Sequence, residues 1–314
     1  MAAILTVTLN PTVDMSSEAD LVRPTHKVRT FNERYDAGGG GINVARVVTT
    51  LGGEAEALFL AGGVTGALLD DLLARDRIRR RKFPINAPTR ISFAVYERET
   101  SQEYRFVPSG PMVEPQELEG CLEFLRADRS PYVVASGSLP RGVPADSLAE
   151  MADIAAARGA RFVLDSSGDG LRVTLDRSRV FLVKPSRGEL EYLVGHELDE
   201  QGIREAAADL VRRGKATFVA VTMGAEGALL ASAEHLIRVP ALHVPVRSAV
   251  GAGDSFLAAM TFALSEGRRP EDALRFGLAA GAAAVLTPGT QLCRREDVLR
   301  LYSEACGQVA GDRS

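Results

Sequence analysis

The sequence predicts an α/β protein, a mostly parallel sheet covered by helices on both faces, with a small β lid attached. Three observations predict it. From Pro115 onward, strand-like and helix-like runs alternate with short polar connections, the pattern of βαβ units. Two runs of small residues, Gly38 to Gly41 and Gly251 to Gly253, each open an apolar helical stretch and leave bare backbone where a ligand can approach. Lys27 to Tyr35 and Arg90 to Val107 alternate without a large apolar face, as half-exposed lid strands do.

In chain order, Ile4 to Thr8 reads as a strand that leaves through a polar loop, Asn10 to Asp14. Lys27 to Tyr35 then runs into Ala37 and four glycines, after which Ile42, Val44, Ala45, Val47 and Val48 carry a helix to Leu51 with Asn43 in its first turn. Glu56 to Leu60 is a strand, and Gly62 to Gly66 turns it into a helix around Leu68 to Leu73. The basic run Arg75 to Lys82, broken by Asp76 and Ile78 and free of interleaved aromatics, reads as a solvated connection. Arg90 to Tyr96 and Glu103 to Val107 form a hairpin that joins the Lys27 to Tyr35 strand in one small sheet. Arg90 and Arg105 on it are surface charges or ligand contacts, and spacing leaves both open.

The regular part follows. A helix to Arg126 is succeeded by strand Tyr132 to Ala135, loop Ser136 to Pro140, helix Ala145 to Arg158, strand Arg161 to Leu164 and loop Asp165 to Gly168. Strand Val180 to Val183, helices Arg187 to Val194 and Ile203 to Arg213, strand Phe218 to Thr222 and a hairpin around Ser232 complete the series. Parallel sheets collect ligands at the carboxyl ends of their strands. The loops carrying Asp14, Gly38 to Asn43, Ser138, Asp165, Lys184, Thr222 and Asp254 all fall at that end.

Ser248 to Phe256 concentrates the chemistry. Gly251, Ala252 and Gly253 deliver Asp254 to the start of an apolar helix, whose first amides are unpaired and lie at the positive end of the dipole. Asp254 either caps that helix or serves as a base beside an anion held by the amides.

Composition excludes several classes. A net charge of -4 argues against a general nucleic-acid or membrane-surface binder, and no apolar run is long enough to span a bilayer. Cys121, Cys293 and Cys306 lack metal-type spacing and read as reduced thiols, which fits a cytoplasmic setting. The four histidines show no ligand pattern. Asn43 stands where a dinucleotide fingerprint needs its third glycine, and no G-x-x-x-x-G-K-[ST] run occurs.

Taken together, G-G-G-G-I-N-V-A-R at Gly38 to Arg46 and V-G-A-G-D-S at Val250 to Ser255 resemble the ribokinase family of carbohydrate kinases over nearly the whole chain. Within it, Gly38 to Arg46, Gln102 to Val107, Ser136 to Pro140 and Asp165 to Gly168 are most similar to the 6-phosphofructokinase branch. The resemblance implies one three-layer α/β/α sandwich over 1–314, with a lid from discontinuous segments at about 12–36 and 88–109. It implies transfer of the γ-phosphoryl group of MgATP to the 1-hydroxyl of fructose 6-phosphate. Tagatose 6-phosphate and fructose 1-phosphate are the alternative substrates, and relatives using them carry a lysine in the glycine run where this chain has Gly40.

Carried over residue by residue, the resemblance makes Asp254 the base and Gly251, Ala252 and Gly253 the anion hole. Asp14, Gly38, Gly39 and Asn43 would hold sugar hydroxyls. Arg90, Arg105 and Ser138, with Lys27 from a partner subunit, would hold the phosphate already on the sugar. Lys184 would meet the outer phosphates of ATP, Thr222, Gly224 and Gly227 would line the adenosine pocket, and Glu189 would organise Mg²⁺ through water. Ser248, Val250, Ala284, Thr287, Gly289 and Gln291 would form a K⁺ loop. A homodimer joined lid to lid is implied as well. One departure stands out: the family pattern K-P-N-x-x-E is Lys184-Pro-Ser-Arg-Gly-Glu189 here, so Ser186 replaces an asparagine at the metal and phosphate corner. That departure is the one support for a reading of another class, a sugar-phosphate sensor without turnover.

Overall fold

A computed structural model of the chain describes residues 3–311. Among them, nine strands form the main sheet in the order β13-β12-β11-β10-β9-β8-β1-β4-β5. These are β1 (Ile4–Thr8), β4 (Ala55–Ala61), β5 (Arg79–Pro84), β8 (Tyr132–Ser136), β9 (Arg161–Asp165), β10 (Val180–Val183), β11 (Ala216–Thr222), β12 (Ala228–Ala231) and β13 (Leu236–Val239). The pairs from β5 to β11 are parallel, and β12 runs antiparallel to β11 and β13. Strands covered on both faces read as continuous apolar runs, which is why β1 and β8 are buried along their whole length.

Helices fill the two outer layers. On one face α1 (Gly40–Thr50), α2 (Gly63–Arg75), α8 (Ala252–Ser265), α9 (Pro270–Val285) and α10 (Arg295–Gly311) share a core with Phe59, Val134 and Leu182. On the other, α3 (Pro115–Ala127), α4 (Ser147–Ala157), α5 (Gly168–Arg177), α6 (Arg187–Val194) and α7 (Glu200–Arg212) pack on Leu58, Val133 and Leu164. This is the three-layer sandwich the sequence predicts. The chain leaves β1 towards β4 on one side and later fills β8 to β11 on the other, so the topological switch lies beside β1. A crevice opens outside the strand ends at such a point.

A second sheet of four strands, in the order β3-β2-β6-β7, stands over that crevice. It comprises β2 (Thr12–Ala19), β3 (Phe31–Gly38), β6 (Arg90–Glu97) and β7 (Gln102–Phe106). The expected three-stranded lid is thus corrected to four strands. Thr12 to Ala19 pairs parallel with β6 and antiparallel with β3, and Asp14 lies on this strand rather than in a loop. Its run Asp14-Met-Ser-Ser-Glu18 gives little apolar signal because buried positions of this strand are filled by small or polar residues such as Ser17 and Ala19. Lys27 is corrected too: it sits exposed in the connection before β3, which begins only at Phe31. The basic run is not a connection. Residues Arg79 to Pro84 are the parallel edge strand β5, where charged side chains are at home because one flank stays in solvent.

Candidate active site

The loops after β1, β8 and β9 meet the starts of α1 and α8 around a cleft of about 350 Å³ roofed by the lid. Asp14, Gly39, Asn43, Arg90, Arg105, Ser138, Glu189, Val250, Gly251 and Asp254 all line it, as do Asp165 and Ser136. Residues separated by more than 200 positions in sequence therefore converge as the strand-end argument predicts.

Asp254 does not cap its helix. Gly251 takes the N-cap position in the left-handed conformation, φ 72°, and no side chain caps the start of α8. The Asp254 carboxylate instead accepts a hydrogen bond from Asn43 Nδ2 at 2.8 Å, which ties the two glycine-rich helix starts together. Burial is the main cause that pushes the Asp254 carboxyl up from 3.8 to about 6; Asp165 adds to it, while Asn43 and Lys184 pull the other way. The group is therefore ionised at pH 7 and less reluctant to take a proton than an ordinary aspartate.

Lys184, almost fully buried, pairs with Asp165 at 3.1 Å. Burial works against its ammonium, but Asp165, Glu189 and Asp254 outweigh that and raise its pKa overall. A Cβ placed on Gly253 would stand 3.6 Å from Lys184 Nζ, so the lysine flanks the bare start of α8. Amides without a cap, a dipole end and a fixed ammonium together make an anion site. Asp165 also accepts from Ser136 Oγ at 3.3 Å. Its role as the counter-charge of Lys184 was missed, because nothing in D-S-S-G states which cation it meets.

Across the cleft, Asp14 is also raised to about 6, by burial first, with Arg105 and Arg90 lowering it and Asp36 raising it. A side chain at Gly38 would occupy the place of the Asp14 carboxylate, 2.1 Å from Oδ2, so the glycine makes room for it. Arg90 donates to the carbonyls of Asn10 at 2.8 Å, Pro108 at 2.8 Å and Pro11 at 3.4 Å. It therefore braces two stems of the lid and keeps two of its five N–H groups for a ligand. Arg105 lies exposed on β7, where it lines the cleft and its charge acts on the Asp14 carboxylate. Asn10, not singled out in the sequence, donates to Ser138 Oγ at 3.2 Å and to the Ser109 carbonyl at 3.1 Å, linking the loop after β8 to the lid stem. Gly40 presses on the β8 loop: a Cβ there would stand 2.2 Å from Ser136 Oγ and 2.9 Å from the Ser136 carbonyl carbon. No lysine fits at that place unless the loop moves.

Residues 7–297 match the model of the pfkB family of carbohydrate kinases. The chain belongs to that family. It is 47% identical over 305 residues to an ATP-dependent 6-phosphofructokinase isozyme 2 of Mycobacterium tuberculosis, covering 96% of this chain and 89% of the relative. A 1-phosphofructokinase of Haloferax volcanii is more distant, at 33% over 94% of this chain and 95% of the other. Among solved structures, phosphofructokinase-2 of Escherichia coli in complex with potassium superimposes with a TM-score of 0.94 at 38% identity, covering 98% of this chain and all of the other. The same E. coli protein in complex with fructose 6-phosphate gives 0.92 at 37%, with the same coverage.

The remaining pfkB-type positions lie beyond the cleft proper. Thr222 ends β11 and bridges to Ser186; Gly224 starts a single 3-10 turn, Gly224–Glu226, and Gly227 lies against the backbone of Val239 to Ala241. Ser186 has a structural task as well. It is the N-cap of α6: its Oγ accepts from Glu189 N at 3.3 Å, and its own N–H donates to Glu189 Oε2 at 2.7 Å. This reciprocal capping box was legible as S-x-x-E. Glu189 spends one oxygen on the cap and still lines the cleft.

Two ions can be tested against these residues. Among the described residues no group of three or more His, Cys, Asp or Glu is placed to hold a metal. A Mg²⁺ held by one carboxylate, waters and substrate phosphates needs none, so Glu189 beside the anion site fits it. At the other loop, Thr287 Oγ1 donates to the carbonyls of Ala284 at 2.7 Å and Gln291 at 2.6 Å. Val250 N donates to Ser248 Oγ at 3.3 Å, and Arg247 N donates to the Val285 carbonyl at 2.8 Å, which joins the two segments. Converging neutral oxygens without a carboxylate suit a monovalent cation better than a divalent one.

Proposed function

We propose that the chain is an ATP-dependent 6-phosphofructokinase that phosphorylates the 1-hydroxyl of fructose 6-phosphate and releases fructose 1,6-bisphosphate and ADP. One observation carries this reading: a half-buried carboxylate, Asp254, stands in the first turn of an uncapped helix with Lys184 on one side and the Asp14, Arg90, Arg105 group on the other. That is the arrangement a phosphorylated polyol and a nucleotide triphosphate would need in order to meet. Asp14 and Asn43 accept from and donate to sugar hydroxyls, and the arginines hold the existing phosphate in pairs of N–H groups. Asp254 takes the proton of the 1-hydroxyl as that oxygen bonds to the γ-phosphorus, and the bond from the γ-phosphorus to the bridging oxygen breaks towards ADP. The amides at Gly251 to Gly253 and the Lys184 ammonium stabilise charge on the moving group. Mg²⁺, when bound through water at Glu189, supplies neutralising charge to the phosphates. The crowding at Gly40 favours fructose 6-phosphate over substrates for which relatives use a lysine there. An ATP-coupled assay with fructose 6-phosphate, tagatose 6-phosphate, fructose 1-phosphate and fructose tests this. Fructose 6-phosphate is expected to give the highest kcat/KM, and a higher value for fructose 1-phosphate would overturn the assignment.

Ser186 gives a smaller expectation. Asparagine caps helices as well as serine, so Ser186→Asn leaves α6 intact and adds an amide at the metal corner. The free Mg²⁺ needed for half-maximal rate is expected to fall about two- to tenfold, the effect of one hydrogen bond. A titration at saturating ATP checks this; superimposable curves would show that the cap is all the residue does.

We further propose a homodimer joined lid to lid, working in the cytoplasm. Tyr35, Met15, Phe93 and Phe106 stand side by side across the four lid strands, and Tyr35, Phe93 and Phe106 are exposed. The Phe93 and Phe106 rings meet in a tilted contact, 6.2 Å between centroids. Such an apolar row on a thin sheet calls for cover, and a second copy supplies the same row. Lys27, exposed in the connection between β2 and β3, is the lid residue assigned to the partner's sugar phosphate. Sedimentation is expected to give a dimer that Phe93→Glu converts to monomer; a fully active monomer at nanomolar concentration would rule the arrangement out.

A further inference from the structure

The segment that carries three of the cation-loop residues also touches the lid. Thr290 lies between Gly289 and Gln291, yet its side chain turns away from them: Oγ1 donates to Asp36 Oδ2 on β3 at 2.6 Å. Both residues are nearly buried, Thr290 at 8% exposure and the Asp36 side chain at 14%. Beside this bond, a Cβ on Gly289 would stand 3.5 Å from Ser16 Oγ on β2, so the loop abuts two adjacent lid strands. A cavity of about 660 Å³, bounded by Ser16, Arg34, Tyr96, Arg247 and Gln291, separates lid from body immediately next to it. The contact therefore sits at the rim of a gap, one residue before Ala37, where β3 is separately anchored to the body by burial and by Arg46 donating to the Ala37 carbonyl at 2.9 Å.

The lid residue at that point is placed to matter. Asp36 pairs in register with Asp14, the carboxylate at the sugar side of the cleft. Two residues further on, Gly38 makes room for Asp14, and the glycine turn leads into α1, where Asn43 holds Asp254. A shift of β3 thus moves the sugar side of the cleft.

We propose that Thr290 and Asp36 are positioning residues that couple occupancy of the cation loop to fructose 6-phosphate affinity. The proposal rests on the cation-loop and substrate readings above. An ordered loop holds Thr290 against Asp36 and fixes β3 in the sugar-binding position; a loose loop releases it. Coupling of this kind is reciprocal, so sugar phosphate must tighten cation binding by the same factor.

The test needs no turnover. Fructose 6-phosphate binding is measured by equilibrium dialysis without nucleotide, in potassium and in tetramethylammonium salts of equal ionic strength, and loop occupancy is read with thallous ion by thallium NMR. The wild type is expected to bind the sugar about five- to tenfold more tightly in potassium, at the lower end of typical coupling. Thr290→Val is expected to bind it equally in both salts, at the weaker affinity, while still binding thallous ion. Thr290→Ser keeps the hydroxyl and Asp36→Asn keeps an acceptor oxygen, so both are expected to retain the potassium effect. Full retention of the effect in Thr290→Val, or its loss in a folded Thr290→Ser, overturns the proposal. Sugar binding that ignores potassium in a wild type that binds thallous ion also overturns it and leaves the cation loop standing. A wild type that binds no thallous ion removes the cation-loop reading itself, and the proposal with it.

Discussion

Asp254→Asn is expected to lower turnover by about a hundredfold to ten-thousandfold, the usual effect of removing a positioned base, while fructose 6-phosphate and ATP still bind. The amide keeps an oxygen to accept from Asn43, so the tie between the two helix starts survives. Its stability is expected to move the other way. With the folded Asp254 carboxyl raised from 3.8 to about 6, the folded state holds a proton that the unfolded state has lost between those values. The contribution of the group to stability therefore falls as pH rises through that window, a cost of order 1–3 kcal/mol at pH 7. Asp254→Asn removes the cost, so its Tm should exceed that of the wild type at pH 7 and approach it near pH 4. In the wild type, the acid limb of kcat/KM should show an apparent pKa near 6, to which Asp14, raised to about 6 as well, contributes. Turnover within a few-fold of wild type in Asp254→Asn would remove the base from the mechanism.

Arg90→Ala is expected to raise KM for fructose 6-phosphate by roughly 30- to 1,000-fold, because truncating one partner of a desolvated, charge-assisted contact costs about 2–4 kcal/mol. KM for ATP should change little, since the nucleotide side is built from other elements. Arg90 has a second task, bracing the carbonyls of Asn10, Pro11 and Pro108, so the variant will also be less stable. Arg105→Ala separates the two effects. It leaves those carbonyls untouched and should raise the same KM about tenfold, the lower end of a charged hydrogen bond at an exposed position. Saturation kinetics in each substrate with a parallel Tm measurement checks both. If Arg90→Ala lowers Tm and leaves the sugar KM within twofold, the residue is a brace alone.

Much of this site could be read before the fold was known, and the parts that could not have a common cause. Strand and helix periods are local, so the alternating layers from Tyr132 to Thr222 follow from apolar spacing. The helix starts at Gly40 and Ala252 follow from glycine runs with helical patterns behind them. Strand β2 was lost because most of its buried positions, Thr12, Ser17 and Ala19, are polar or small and carry no period-2 apolar signal. Strand β5 was lost because an edge position tolerates a run of arginines. Helix α5 was hidden by Gly168 and Gly170 in its first turn. Tertiary pairings were beyond local reading altogether: Lys184 with Asp165, Asn10 with Ser138, and Thr290 with Asp36 join segments far apart in sequence. Ser186 is the opposite case, since its capping box is written in four consecutive residues, Ser186-Arg-Gly-Glu189.

The most direct measurement of the central claim follows the transferred group itself. Fructose 6-phosphate is incubated with ATP carrying ³²P in the γ position, and the product is separated and assigned by ³¹P NMR. The arrangement of Asp254, the uncapped start of α8 and the Arg90 and Arg105 pair predicts one labelled product, fructose 1,6-bisphosphate, with the label at carbon 1 and ADP formed in equal amount. Label on another hydroxyl, label released as inorganic phosphate, or tight sugar-phosphate binding with no transfer would contradict it.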